Sequence, residues 1–184
     1  MKKTPIVKAD KGRGSQHNPT NKFLQHSYEL DHDYLEHCRI EGEEYESKRT
    51  IYQEIHPKSI VTPVNSPDVP FKWSINPYQG CEHGCVYCYA RNTHEYYGYS
   101  AGKDFERIVL VKKNAASLLK KHFEKKNYQA EMIMLSGNTD CYQPAERKFR
   151  ITRQILELCL LHKHPIGIIT KNSLLLRDLD LIKE

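Results

Sequence analysis

Gly80-Cys81-Glu82-His83-Gly84-Cys85-Val86-Tyr87-Cys88 carries the most informative chemistry in this chain. Its cysteines follow the spacing C-x-x-x-C-x-x-C. Iron–sulfur clusters are held by thiolates, and a cubane is normally held by four of them. Three thiolates leave one iron without a protein ligand and open to a small molecule. A cubane is small, so its ligands must converge from one short loop. Gly80 and Gly84 let that loop turn tightly. The rival reading is structural zinc, held by Cys81, Cys85, Cys88 and either His83 or His94. Zinc sites more often show a C-x₂₋₄-C pair with a distant second pair, and no second pair is present.

Residues 71–75 form a short strand candidate that runs into the turn signals Asn76-Pro77 and Gly80, and the cysteine loop follows at once. Residues 89–97 suit a helix stopped by Gly98. The β-branched run at 107–111 predicts a strand. Asn114 suits the cap of a helix through Phe123, with Ala115, Leu118, Leu119 and Phe123 as its apolar face. A strand is expected at 131–135, ending at Ser136-Gly137-Asn138-Thr139-Asp140. Pro144 suits the first turn of the next helix. Phe149, Thr152, Ile155, Leu156 and Cys159 recur at helical spacing up to His164-Pro165. A further strand is expected at 166–170, and Ser173 suits the cap of a last helix through Leu179 and Ile182. Strands alternating with helices imply an α/β fold of parallel units, in which ligands bind at the carboxyl ends of the strands. The cysteine loop, residues 136–143 and residues 170–172 all fall at such ends.

The preceding part reads differently. Residues 1–22 are rich in Lys, Gly, Asn, Pro and Thr and bury too little apolar surface to order themselves. Residues 23–50 are polar and acidic, with Glu41, Glu43, Glu44 and Glu46 together and no sustained period. Pro57, Pro63, Pro67 and Pro70 mark an extended connector. The expected division is an irregular polar arm and connector at 1–65 and a core domain at 66–184. About four strands are visible, too few to close a barrel, so the expectation is one portion of a longer domain.

The 184 residues are 39% hydrophobic and 28% charged, with net charge +5 and pI near 8.8. That length supports one domain with a real core. No apolar run suits a membrane span, and residues 1–8 lack the apolar stretch of a secretory signal. A cytoplasmic protein without membrane partners is the expectation. The mild basicity reads first as a lysine-rich solvated surface and second as an anionic partner. Six cysteines are an even number, but three of them within eight residues speak against a disulfide framework. Cys38, Cys141 and Cys159 are scattered, and Cys159 reads as a small buried hydrophobe.

Residues 76–99 resemble the radical S-adenosylmethionine (radical SAM) enzymes, in which the open iron chelates the amino acid end of SAM. Three segments narrow the resemblance to relatives of spore photoproduct lyase. They are residues 74–91 (SINPYQGCEHGCVYCYAR), 138–146 (NTDCYQPAE) and 169–172 (ITKN). The arm shares Lys-Gly-Arg-Gly and Asn-Pro-Thr-Asn-Lys-Phe with the same relatives. The resemblance implies the N-terminal part of a partial (β/α) barrel, preceded by a largely irregular arm. It implies a 4Fe–4S cluster on Cys81, Cys85 and Cys88, with SAM as second cofactor. Tyr87 falls where an aromatic residue lies near the adenine. Thr139 falls where the lyase uses a serine hydroxyl on SAM, and Lys171 where it uses a lysine on the carboxylate or ribose side. The lyase also has a hydrogen-donating cysteine, but the matching place here is Gly137, which cannot do that chemistry. Cys141 lies four residues on and is the candidate for a related catalytic role.

The implied activity is reductive cleavage of SAM to a 5′-deoxyadenosyl radical that acts on a substrate. An electron donor such as flavodoxin or ferredoxin is the implied partner. A nucleic-acid repair or modification enzyme is the alternative, for which Tyr96, Tyr97 and Tyr99 offer rings to stack on bases. A non-enzymatic iron–sulfur or zinc module is the third reading.

Overall fold

The computed structural model describes residues 11–24 and 49–184. Cys38 and the acidic run at Glu41–Glu46 lie outside the described residues. Among the described residues, the strands form two sheets. One has the order β1-β5-β4 and is made of β1 (Ile51–Ile55), β4 (Tyr78–Gln79) and β5 (Ile108–Lys112). The other has the order β2-β3-β6-β7 and contains β2 (Val61–Pro63), β3 (Trp73–Ile75), β6 (Ile133–Leu135) and β7 (Ile166–Ile168).

β3, β6 and β7 run parallel, with Trp73, Ile133 and Ile166 in register at one end and Ile75, Leu135 and Ile168 at the other. β1 and β5 are also parallel, whereas β2 pairs antiparallel with β3 and β4 antiparallel with β5. The architecture is therefore mixed α/β with parallel pairs, as expected of a partial radical SAM fold. The division into two sheets was not expected. Its physical cause lies at Asn76-Pro77. Proline has no N–H to donate to a ladder, so the strand breaks there. The chain then resumes as β4 against β5, where the Lys112 backbone N–H donates to the Pro77 carbonyl at 3.1 Å.

The four expected strands are all present, each with shifted or shortened ends. Two more lie in the stretch read as irregular arm and connector. β1 escaped because its exposure alternates poorly along the strand, and β2 because Pro63 ends it after three residues. Residues 11–24 are also packed against the rest of the fold, not loosely draped: the Lys103 backbone N–H donates to the His17 carbonyl, and Asn21 Nδ2 to the carbonyls of Glu95 and Tyr99.

The helices are α1 (Lys103–Arg107), α2 (Ala115–Phe123), α3 (Ala145–Phe149), α4 (Ile151–Leu161) and α5 (Leu179–Ile182). Short 3₁₀ helices cover Tyr89–Tyr97 and Ser173–Asp178, and the first ends at Gly98 in the left-handed region, as read from the sequence. Asn114 sits at the start of α2, but its side chain caps nothing there; Nδ2 donates to the Pro57 carbonyl at 3.0 Å. The single helix expected from Pro144 to Cys159 is two, hinged at Arg150 with φ 53°. Asn172, not Ser173, caps the last helical stretch, accepting from the Leu174 backbone N–H at 2.9 Å.

α2 and α4 pack on each other and over the sheets. Ile75, Val109, Val111, Leu119, Leu135 and Ile155 are among the fully buried side chains of this core. It holds the carboxyl ends of β3, β6 and β7 in register; residues 136–143 and 170–172 follow β6 and β7, whereas the cysteine loop, expected at the end of a parallel strand, follows β4, which is antiparallel to β5.

Candidate metal centre

The Cys81–Cys88 loop leaves β4 through Gly80, whose φ of 82° belongs to the left-handed region. A side chain there would also strike the Ile108 carbonyl oxygen, 2.5 Å from the position of an added Cβ. Only glycine combines that backbone angle with that contact. The Cys81 backbone N–H then donates to the Phe105 carbonyl at 2.8 Å. Cys81 is buried beside Ala90 and Phe105, with Cys88 packed against them, while Cys85 is half-buried. Burial pushes the Cys81 thiol up to about 12, so this sulfur stays protonated until a cation replaces its proton.

Four polar clamps fix the loop. Gln143, fully buried, brackets Cys81: its Nε2 donates to the Gly80 carbonyl at 2.9 Å, and its Oε1 accepts from the Glu82 backbone N–H at 3.2 Å. Glu82 accepts from the Tyr52 hydroxyl of β1 at 3.0 and 3.1 Å. His83 Nε2 lies 3.2 Å from Asp140 Oδ2. The Cys85 carbonyl accepts from the Arg91 guanidinium at 2.9 Å. Glu82 is thus held by Tyr52 from β1, and His83 lies beside Asp140.

Asp140 ties the three strand-end segments together. Besides its contact with His83, it accepts from the Thr170 hydroxyl at 2.7 Å and from the backbone N–H groups of Tyr142 and Lys171 at 2.8 and 3.1 Å. Burial works to raise this carboxyl, but these donors outweigh it and hold it below the usual range. Asn76 plays a similar part at the end of β3: its Oδ1 accepts from the backbone N–H groups of Asn138 and Thr139 at 2.8 and 3.2 Å.

The predicted site residues separate into two groups. Cys81, Cys85, Cys88 and Lys171 come together: Lys171 Nζ lies 2.9 Å from Cys85 Sγ, and the sulfur raises the lysine's pKa. Tyr87 is at the same end of the fold, with 81% of its surface exposed. Thr139 and Cys141 face inward. Thr139 is 2% exposed and its hydroxyl donates to the Tyr78 carbonyl at 2.5 Å, so this oxygen braces the loop from beneath. Cys141 is wholly buried in the main core, its N–H on Ser136 Oγ at 2.7 Å, and burial pushes its thiol up to about 12. A thiol sealed in apolar packing is poorly placed to reach a substrate radical. Gln143, Asp140 and Arg91 were inside or beside the motifs but were not singled out. Their polar identity next to the cysteine segments was the available signal.

Three thiols on one short loop are the soft donor set that an iron–sulfur cubane takes. Among the described residues no group of three or more His, Cys, Asp and Glu side chains is gathered tightly enough for one metal ion. Tetrahedral zinc would require four donors at about 2.0–2.3 Å from one centre. His83 Nε2 lies 3.2 Å from Asp140 Oδ2, and His94 is buried between Tyr99 and Phe105.

The sequence pattern of the Radical SAM superfamily matches residues 75–184, from the end of β3 through α5. This chain belongs to the radical SAM superfamily. It is 39% identical over 134 residues to uncharacterized proteins of Mycobacterium tuberculosis and Mycobacterium bovis, covering 72% of this chain and 39% of each relative. It is 38% identical over 124 residues to an uncharacterized protein of Methanocaldococcus jannaschii, covering 66% of the chain and 44% of that relative. The chain thus spans well under half the length of the curated relatives it matches. No solved structure matches it. Among the described residues no helix is long and apolar enough to cross a membrane.

Proposed function

We propose that this radical SAM protein is an enzyme that binds a 4Fe–4S cluster on Cys81, Cys85 and Cys88 and cleaves SAM reductively to begin chemistry on a second substrate. The observation that carries the reading is three thiols on one glycine-punctuated loop, tied by Gln143, Asp140 and Lys171 to the segments that follow the parallel strands β6 and β7, with the Lys171 ammonium beside Cys85. When bound and reduced, the cluster supplies the electron that splits the sulfonium C–S bond of SAM, giving methionine and a 5′-deoxyadenosyl radical.

The chain's own residues bind, orient and shield. Gln143 and Arg91 hold the backbone on either side of the thiols, fixing the direction in which the sulfurs point. Lys171 offers a compact positive charge to the carboxylate of SAM. In this structure its Nζ rests 2.9 Å from the Cys85 sulfur. Tyr87 supplies a ring face for the adenine. Thr139 sets the loop that Asp140 and Asn138 share, acting on SAM only through that backbone. An external one-electron donor such as flavodoxin or ferredoxin completes the system.

The test is chemical. Protein reconstituted anaerobically with iron and sulfide should turn brown, bleach with dithionite, and release 5′-deoxyadenosine from SAM. Stoichiometric zinc without that absorbance, or no deoxyadenosine with several reductants, would overturn it.

A nucleic-acid substrate is the second reading. It draws on the likeness of residues 74–91, 138–146 and 169–172 to relatives of spore photoproduct lyase. It also draws on the Tyr87 and Tyr89 rings, 81% and 74% exposed beside the thiol loop. Fold analogy alone is weak warrant for a substrate. Binding of single-stranded DNA that weakens steeply with salt would support this reading, and absence of binding at low salt would remove it.

A further inference from the structure

The sequence reading left residues 1–22 as an arm that buries too little apolar surface to order itself. The structure lays part of that arm directly against the thiol loop. Gly14 approaches Gly84 so closely that an added Cβ would come within 2.3 Å of the Gly84 carbonyl oxygen. The reverse contact is as tight: a Cβ on Gly84 would lie 2.7 Å from the Gly12 carbonyl oxygen. Two backbones pass here with no room for a side chain between them.

Beside this crossing sits Glu106, a carboxylate with no exposed surface. Burying a charge is costly unless it is fully hydrogen-bonded. The arm supplies much of that satisfaction. The backbone N–H groups of Gly14 and Ser15 donate to its two carboxylate oxygens at 3.1 and 2.9 Å, and Arg13 donates to its backbone carbonyl at 2.7 Å. The remaining donor is Arg91, whose guanidinium pairs with Glu106 Oε1. The same guanidinium nitrogen donates to the Cys85 carbonyl at 2.9 Å, and its neighbour to the Gly102 carbonyl at 3.2 Å. A continuous chain of charge-assisted bonds therefore runs from the arm through Glu106 and Arg91 to Cys85.

We infer that residues 12–15 are a strap that positions the Cys85 corner of the thiol loop, acting through Glu106 and Arg91. The inference rests on the cluster reading above for its purpose, but its geometry stands without any metal. None of these residues touches the reacting atoms; they are positioning residues. Without the strap, Glu106 loses two of its donors and admits water. Arg91 then loses its fixed partner, and the Cys85 carbonyl its donor. The loop opens at that corner while Cys81, clamped separately by Gln143, stays in place.

The experiment is residue-resolved alkylation of the metal-free chain by iodoacetamide, read by mass spectrometry at each cysteine. A second reading takes the rate at which a chelator strips iron from the reconstituted protein. The variants are Gly14→Val, whose side chain has no room at the crossing and forces the arm off the loop, and Ser15→Pro, which removes one N–H from Glu106. Ser15→Ala keeps that N–H and serves as control. Arg91→Lys breaks the same chain from its other end, since an ammonium cannot span Glu106, Cys85 and Gly102 together.

Losing one bond to a charged group corresponds to about tenfold or more in an opening equilibrium. Cys85 alkylation and iron release should therefore rise about tenfold in Gly14→Val, Ser15→Pro and Arg91→Lys, with Ser15→Ala at the parental rate. The core thiols Cys141 and Cys159 should keep their parental rates. Cys85 unchanged within twofold in the strap variants would overturn the inference. So would acceleration of all described cysteines together in those variants with Arg91→Lys leaving Cys85 untouched, because that marks general loosening. If the parental chain takes up no iron–sulfur cluster, the cluster reading fails while the alkylation result still decides the strap.

Discussion

Gln143→Leu tests whether the thiol loop is held by the bracket around Cys81. The substitution keeps the volume of the side chain and removes its amide. Two bonds disappear together: the Gly80 carbonyl loses the donor at 2.9 Å, and the Glu82 backbone N–H loses the acceptor at 3.2 Å. Each buried backbone group left unpaired costs about 1–3 kcal/mol. Glu82 is only half-buried, so its N–H recovers part of its share from water. The net loss works out at about 2–4 kcal/mol, a large part of the roughly 5–15 kcal/mol by which a domain is stable. With a urea slope of about 2 kcal/mol per molar, the midpoint should fall by about 1–2 M. Gln143→Glu keeps the acceptor toward Glu82 but sets a buried carboxylate against the Gly80 carbonyl, and should fall at least as far as the leucine variant at neutral pH. The assay is urea unfolding followed by circular dichroism, with iron bound per chain after reconstitution as companion measurement. A leucine variant within about 0.2 M of the parent, loading iron to the same extent, would refute the bracket.

Three further outcomes are expected. Lys171→Met should weaken SAM binding by about tenfold or more in calorimetry while iron content stays at the parental level; equal affinity would strip the lysine of its role. His94 is lowered by burial to about 4 from the ordinary 6.5. Between those values the unfolded chain binds the proton and the folded chain does not, so stability should fall by up to about 3 kcal/mol as pH drops from 6.5 to 4. His94→Phe should flatten that limb, and an unchanged pH slope would show that other groups set it. Cys141→Ala should keep SAM cleavage at parental rate and lower the melting temperature by a few degrees for the small cavity it leaves; loss of cleavage with an intact fold would return Cys141 to the chemistry.

The parts of this fold that follow local rules were legible in the chain. β5, β6 and β7 carry β-branched or aliphatic runs, and the thiol spacing marks its own loop. The meeting of residues 136–143 with 170–172 followed from strand order, since loops at the carboxyl ends of neighbouring parallel strands adjoin; the cysteine loop reaches them by way of antiparallel β4. The rest depends on distance in the fold. Ile51–Ile55 lies beside β5 at a sheet edge, so its side chains show no clean two-residue period. Glu106 stands just before a β-branched run, and nothing in its neighbours announces that residues 14 and 15 will bond it. Thr139 and Cys141 were assigned by likeness to a motif, which gives position along the chain but not the direction of a side chain. Both turn inward because Ser136, with φ 69°, reverses the backbone at the end of β6 and drives the following residues under the loop.

The hinge at Arg150 has a consequence for how charge is read at this end of the molecule. It turns α3 back so that Glu146 accepts from the backbone N–H groups of Thr152 and Arg153, at 2.9 and 3.3 Å, at the very start of α4. The positive pole of that helix, elsewhere a ready berth for phosphate or carboxylate, is discharged from within. An incoming anion therefore finds those two donors at the start of α4 already taken.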